Sequence, residues 1–459
     1  MTPAARLQAA LDLLETIALS PRPADGVASE FFRSRRFIGS KDRREIADRV
    51  WIMLRNWARA GWQVRHAALS TWPVGDVPEW ADVTPRQRLL ADLVQREKVT
   101  LEELESLFNG EKFGPARLRE RERSLIRALK SNRVAKADLP DWVAGEMPGW
   151  IIPRLRTVYQ DRLPEVLDAL TVEAAVDLRV NTLKADLETV VDRLAEEEVD
   201  VGPGTWSPLA LRLIGRANLP ATAAFRDGLV EVQDEGSQLL ALLTDAHPGQ
   251  SVVDFCAGAG GKTLAIAATM QNKGRLVACD VSAGRLERSA VRLKRAGVHN
   301  VTRHLLEGER DKWVKRSAGK YDRVLIDAPC SGTGTWRRNP DAKWRLRDQD
   351  VRELVVKQAS ILSSAARLAA VGGRVIYATC SLLPEENERQ VDAFLAANSG
   401  FRLLPVAEVW AQVFGPDRPC PVDGPMLRLD PAAHGTDGFF AAILERVGDA
   451  AAGEAVAED

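Results

Sequence analysis

The sequence predicts an α/β protein built on a doubly wound parallel sheet, with an all-helical region and a small α+β module ahead of it. Three observations predict it. From Ser237 onward, apolar strand-like runs at Val252–Cys256, Leu276–Asp280, Tyr321–Asp327 and Arg374–Thr379 alternate with helical stretches at Lys262–Met270, Arg285–Ala296 and Asp350–Ala370. That alternation is the rhythm of a parallel sheet with crossover helices. The first run passes into a Gly-rich turn and then a helix, as open α/β sheets do where they bind a ligand. Before Ala174, by contrast, strand signals are nearly absent.

The helical region rests on periodicity. Ala5–Leu19 is amphipathic, and Asp42–Trp57 sets Ile46, Val50, Leu54 and Trp57 on one stripe. Thr84–Gln95 and Leu101–Phe108 continue the style, with Thr84 and Thr100 as N-caps. The pattern predicts a helical domain over 1–134. Pro140, Pro148, Gly149 and Pro153 then break it. A strand at Ala175–Val180, a helix at Leu187–Glu197 and strands at Leu209–Ile214 and Gly228–Gln233 predict a mixed module over 138–235. The sheet domain occupies 236–446 and ends in an antiparallel hairpin of Met426–Leu429 and Phe439–Glu445. The Ala/Gly/acidic tail over 447–459 is expected to be disordered.

Composition excludes several classes. The chain has 459 residues, enough for two or three domains, and a hydrophobic fraction of 45% suits a sizeable core. With 63 basic and 64 acidic residues, net charge points to no particular partner, so local clusters must be weighed instead. The five cysteines are scattered, without a CxxC pair, which argues against zinc or any other metal site. No signal peptide and no membrane-spanning run is legible, so a cytoplasmic protein with reduced thiols is expected.

The chemistry-bearing residues gather after the predicted strands. Cys256, Ala257, Gly258, Ala259, Gly260, Gly261 and Lys262 form the Gly-rich turn, where backbone N–H groups can approach a ligand. Asp280 ends the next strand, the position of a ribose-binding carboxylate in dinucleotide and related folds. The loop suits NAD or S-adenosylmethionine alike, and its spacing excludes a Walker A loop. Asp327-Ala328-Pro329-Cys330-Ser331 and Thr379-Cys380-Ser381 follow two further strands, which sets Cys330 and Cys380 at the ligand-binding edge of the sheet. Cys256 and Cys279 read as small buried hydrophobes. A strand-end thiol suits one demanding reaction. Carbon 5 of cytosine is too electron-poor to attack a sulfonium methyl until a thiolate has added to carbon 6.

With Asp-Ala-Pro-Cys-Ser at 327–331, Arg-Arg-Asn-Pro-Asp at 337–341, Thr-Cys-Ser at 379–381, Pro-Glu-Glu-Asn-Glu at 384–388 and His-Gly-Thr-Asp-Gly-Phe-Phe at 434–440, the chain resembles the Sun family of RNA cytosine-5 methyltransferases. It is most similar to the bacterial branch acting on small-subunit ribosomal RNA, over roughly Ala174 to Arg446. The helical region resembles that branch's NusB-like RNA-binding domain. The resemblance implies a Rossmann-like S-adenosylmethionine methyltransferase domain, a cofactor pocket lined by Cys256 to Lys262, Asp280 and Asp327, Cys380 as nucleophile and Cys330 as the helper that assists release. It also sets Lys262 near the reacting centre and an acidic residue at the adenine end of the cofactor, matched best by Glu307, with Glu309 and Asp311 as rivals. Gly258 and Ala259 depart from the Ala and Pro usual in the family's loop. DNA cytosine methyltransferases attack with the Pro-Cys cysteine, so the presence of both motifs favours RNA.

Two clusters are expected to face that RNA. One is Arg33, Arg35, Arg36, Lys41, Arg43 and Arg44. The other is Arg337, Arg338, Lys343, Arg345 and Arg347 with Trp336 and Trp344 interleaved. Arg179 and Asn181, in the family's Leu-Arg-x-Asn pattern, are further expected contacts. Ribosomal RNA is the expected substrate and transfer RNA the alternative. An NAD-dependent oxidoreductase would leave the paired cysteines without a role, and a non-catalytic assembly factor would not need them. A monomer is expected, because the helical domain and mixed module each already cover one face.

Overall fold

The computed structural model describes residues 1–73, 79–132 and 134–448. They form two compact units. One comprises Met1–Val172 with Trp336–Leu346, and the other Glu173–Thr335 with Arg347 onward. Of the tail expected to be disordered, 449–459 lie outside the described residues.

The first unit is helical. Pro3–Leu19, Ser40–Arg55, Pro85–Gln95 and Glu120–Ser131 pack around a core that includes Leu13, Leu14, Ile46, Val50, Leu90 and Leu125. Thr84 and Thr100 cap their helices through reciprocal bonds with Gln87 and Glu103, satisfying N–H groups that a helix start leaves open. The stripe ending at Trp57 is interrupted. Its helix stops at Arg55, and Trp57 opens the next helix, Trp57–Leu69.

The two compact units divide at Val172 rather than at the expected 134. Of the prolines read as breakers, Pro140 and Pro148 stand just ahead of short helices and Pro153 stands inside one, where a proline in the first turn loses no hydrogen bond and has its φ preset. Pro153 sits in the first turn of Ile152–Tyr159, and Pro164 in that of Leu163–Thr171. Of the module expected over 138–235, the helices up to Val172 pack with the helical unit, and its sheet begins only at β1.

The second unit holds two sheets. The smaller is antiparallel, from β1 (Asp177–Val180), β2 (Val201–Pro203), β3 (Ala210–Leu213) and β4 (Val230–Val232) in the order β2-β3-β1-β4. Val190 and Leu194, on the helix Leu187–Glu196, share its core with Leu178 and Leu211.

The larger sheet has eight strands among the described residues: β5 (Ser251–Asp254), β6 (Arg275–Asp280), β7 (Val301–Leu305), β8 (Tyr321–Asp327), β9 (Ala369–Thr379), β10 (Phe401–Leu404), β11 (Leu427–Leu429) and β12 (Phe439–Arg446). Its order is β10-β12-β9-β8-β5-β6-β7, with β11 on β12, and β5 to β9 all run parallel. The arrangement is the Rossmann-like doubly wound sheet that the sequence predicts. β5 lies between β6 and β8, so the chain order reverses there, the point where open α/β sheets bind ligands at their carboxyl ends. β11 and β12 pair antiparallel as expected, and β12 also inserts between β9 and β10. No helix among the described residues is long and apolar enough to cross a membrane.

Candidate active site

The loop leaving β5 wraps the start of the helix Gly261–Thr269. Gly258 and Gly260 both take positive φ (56° and 83°), which side chains rarely adopt. A side chain at Gly260 would also press on Ser289, with a Cβ–Cβ distance of 3.0 Å, whereas the space beside Gly258 is open. Asp280, at the end of β6, accepts the Gly258 N–H at 2.9 Å and the Ser282 N–H at 2.8 Å. It therefore braces the loop and keeps two of a carboxylate's roughly four acceptor positions for a ligand. From behind, Arg292 donates to the Ala259 carbonyl at 2.8 Å and to Glu231 of β4 at 3.0 Å.

Lys262, one-tenth exposed, extends its ammonium 2.6 Å from Asp327 at the end of β8. Burial works against its charge, but the Asp327 carboxylate outweighs this and raises its pKa. Asp254, at the end of β5, is buried. Burial pushes its carboxyl up to about 7, against the opposing hydrogen bond from Thr263 at 2.6 Å. Its other oxygen has no partner.

The two strand-end cysteines converge. Fifty residues apart in the chain, Cys330 and Cys380 hold their Sγ atoms 3.4 Å apart. The hydrogen bond with Cys380, reinforced by burial, holds the Cys330 thiol well above its ordinary range. Burial pushes the Cys256 and Cys279 thiols up too. That matches their reading as unreactive apolar side chains. The loops after the cysteines meet on Glu386, fully buried, which accepts from the Ser331 N–H at 2.8 Å, from Gln358 at 2.9 Å and from the hydroxyls of Ser331 and Ser381. Asn387 beside it accepts from Thr379 at 2.6 Å and donates to the Ser381 carbonyl at 2.8 Å. Among the described residues no group of three or more His, Cys, Asp or Glu side chains could hold a metal ion.

Sequence reasoning missed three of these groups. Asp254 was legible as an acid ending the first sheet strand. Glu386 stood in a motif without a role. Arg292 looked like one more solvated helix charge. Glu307 follows the end of β7, where the Leu306 N–H pairs with the Asp280 carbonyl at 2.9 Å, and its side chain is exposed. Its rivals are engaged. The Asp311 carboxylate accepts the Glu307 and Trp313 N–H groups at 2.9 and 2.7 Å, and Glu309 accepts from Ser360 at 3.4 Å.

Several expected RNA contacts are corrected. Arg179 and Asn181 are buried (1% and 3% exposed) and bond to Gln233 and to the carbonyls of Gly228 and Ala296. Of the second basic cluster, Trp336, Arg337 and Lys343 are buried in the helical unit. Burial lowers Lys343 to about 8 despite the field of the buried Glu146 carboxyl. Arg345 pairs with Asp341 at 2.9 Å and donates to the carbonyls of Ile17 and Ser20. Arg347, outside that unit, is exposed but pairs with Asp350 at 2.8 Å. These cations serve the interior or neighbouring carboxylates. In the first cluster Arg33, Arg36, Lys41 and Arg44 remain exposed.

Residues 241–445 match the family model described as 16S rRNA methyltransferase RsmB/F, and residues 147–219 match the ferredoxin-like domain of RsmF/B-like methyltransferases. Ribosomal RNA small subunit methyltransferase B of Yersinia enterocolitica is 34% identical over 297 residues, 65% of this chain and 66% of that protein. The protein of the same name from Pasteurella multocida is 34% identical over 304 residues, 65% of each. The matched stretch thus spans about two thirds of these relatives' length. Among solved structures, that of PH0851 is 26% identical with a TM-score of 0.75, covering 97% of this chain and 99% of its own. A methyltransferase homolog from Pyrococcus horikoshii, also 26% identical, gives 0.58 over 68% of this chain and 100% of its own.

Proposed function

The chain belongs to the RsmB/F family of 16S ribosomal RNA methyltransferases, and from that premise we propose that it methylates carbon 5 of a cytosine in small-subunit ribosomal RNA, using S-adenosylmethionine and a covalent adduct with Cys380. The observation that carries this reading is the pair of sulfurs 3.4 Å apart, on loops at the carboxyl edge that also holds the Lys262–Asp327 pair.

The residues at this edge fit the cofactor. Gly258 leaves open space beside a helix start, Asp280 has acceptor capacity for a ribose diol, and one Asp254 oxygen is unpartnered. Cys256 to Lys262, Asp280 and Asp327 would line its pocket, with Glu307 toward the adenine end. When bound, S-adenosylmethionine supplies an electrophilic methyl group.

The chain's own side chains do the rest. The Cys380 sulfur adds to carbon 6 of the base as its proton passes, by way of the Asp327 carboxylate, to ring nitrogen 3, which leaves carbon 5 electron-rich. Lys262 keeps Asp327 oriented. Once carbon 5 carries the methyl group, its proton must leave to a base and Cys380 must be expelled, with Cys330 assisting at that step. The target base has to leave its stack to reach a strand-end thiol, which costs least for unpaired cytosines. On the helical unit, which resembles a NusB-like RNA-binding domain, the exposed Arg33, Arg36, Lys41 and Arg44 flank Phe37 in sequence, itself 77% exposed. Cations beside an exposed ring suit phosphate contact and base stacking.

Asp280→Ala removes the acceptor for two N–H groups of the cofactor loop as well as the ribose partner. A rise of about tenfold or more in the dissociation constant for S-adenosylmethionine is expected, each lost charge-assisted bond being worth about 1.5–3 kcal/mol. Isothermal titration checks this, and unchanged affinity would remove Asp280 from the pocket. The reaction itself is tested by bisulfite sequencing of ribosomal and transfer RNA from cells with and without the gene. Loss of one protected cytosine in 16S RNA is the expected result. Loss in transfer RNA would move the substrate, and no lost site would overturn the reading.

A further inference from the structure

We propose that Glu386 is a positioning residue that ties the Pro-Cys loop to the Thr-Cys loop, so that Cys330 stands against Cys380 and the covalent adduct can be released. The inference rests on the cysteine roles proposed above.

Glu386 is fully buried, and burying a carboxylate is costly unless its oxygens are well supplied with donors. Its donors come from a restricted set. Ser331, the residue after Cys330, gives its N–H and its hydroxyl. Ser381, the residue after Cys380, gives its hydroxyl. Gln358 adds a bond at 2.9 Å and holds the Pro329 carbonyl, also at 2.9 Å, with the same amide nitrogen. One side chain therefore fixes the neighbour of each sulfur. The loops are also stitched directly. The Gly334 N–H donates to the Cys380 carbonyl at 2.9 Å, and the Leu382 N–H to the Thr333 hydroxyl at 2.7 Å. The Ser331 and Ser381 hydroxyls also lie 3.2 Å from each other, and Glu386 is the acceptor common to both.

Addition to carbon 6 needs only the Cys380 sulfur. Release needs Cys330 beside it. Disturbing the carboxylate that registers the two loops is therefore expected to separate the steps. Glu386→Gln removes the charge that strengthens all four bonds, and its NH₂ can keep the serine hydroxyls only as acceptors, so the grip on both loops weakens.

The test is a single-turnover reaction with labelled S-adenosylmethionine and 16S RNA, following the protein–RNA adduct that survives denaturant. Glu386→Gln is expected to form the adduct at a near-native rate and to release it at least tenfold more slowly. In a Cys330→Ala background the same change is expected to slow release no further, because the two residues act through one step. A purely structural role would slow formation and release alike in both backgrounds, and that result would overturn the proposal. If Cys330→Ala traps the adduct while Glu386→Gln releases it freely, this inference alone falls. If Cys330→Ala traps none, the cysteine roles fall and this inference with them. Ser331→Ala removes a single hydroxyl bond and is the milder variant should Glu386→Gln not fold; slower release is expected of it too, and native release by a folded Ser331→Ala would overturn the proposal.

Discussion

Replacing Cys380 by alanine is expected to abolish methyl transfer, by on the order of 10⁴-fold or more, about 5 kcal/mol of transition-state stabilisation. Without a sulfur at that position, carbon 5 stays electron-poor, and no neighbouring group supplies the missing electron density. Cys330 is 3.4 Å away, and in the variant it loses its bond to Cys380, but burial still holds its thiol up. It is thus a poor substitute nucleophile, since the thiolate is the reactive form. Cofactor binding is expected to remain near native, because the bonds of Cys380 run to the Cys330 loop rather than to the Gly-rich turn. A methyl-transfer assay beside a cofactor titration separates the two properties. Substantial turnover by Cys380→Ala would refute its assignment as nucleophile.

Cys330→Ala is expected to have the opposite signature, with addition and methyl transfer proceeding and the product remaining attached to Cys380. Release should slow by about 10²–10³-fold, in the range that a positioned proton-transfer group contributes. The stalled species should appear as a protein–RNA band on a denaturing gel, growing with time and dependent on S-adenosylmethionine. The change is small in volume, so a stable protein is expected. If the variant turns over normally with no such band, the helper role is wrong.

The sheet was legible wherever a strand has a buried apolar centre. Tyr321–Asp327 was read with its observed bounds, because Val324, Leu325 and Ile326, covered on both faces, form a continuous apolar run. β7 and β10 escaped notice. Val301–Leu305 is an edge strand with Thr302, Arg303 and Leu305 exposed, and Phe401–Leu404 lies at the opposite edge, so neither carries the full pattern. The approach of Cys330 to Cys380 followed from their places after adjacent parallel strands. What the sequence withheld was where each charge would go. Lys343 and Arg179 look like surface cations in a linear reading, and only the packing of distant segments reveals them as interior groups.

The segment Trp336–Leu346 belongs to the helical unit, although it follows directly on the Pro-Cys loop. Its Asp341 accepts the Ala24 N–H at 3.1 Å, its Arg337 carbonyl accepts from Arg55 at 3.4 Å, and Trp336 lies buried. During synthesis the first 172 residues leave the ribosome early, yet the piece that completes them emerges only after the Gly-rich turn, Asp280 and Cys330 have been made. The usual N-terminal-first order of domain folding cannot run to completion here. The helical unit gains its last segment only after the residues of β5 to β8 have been synthesised.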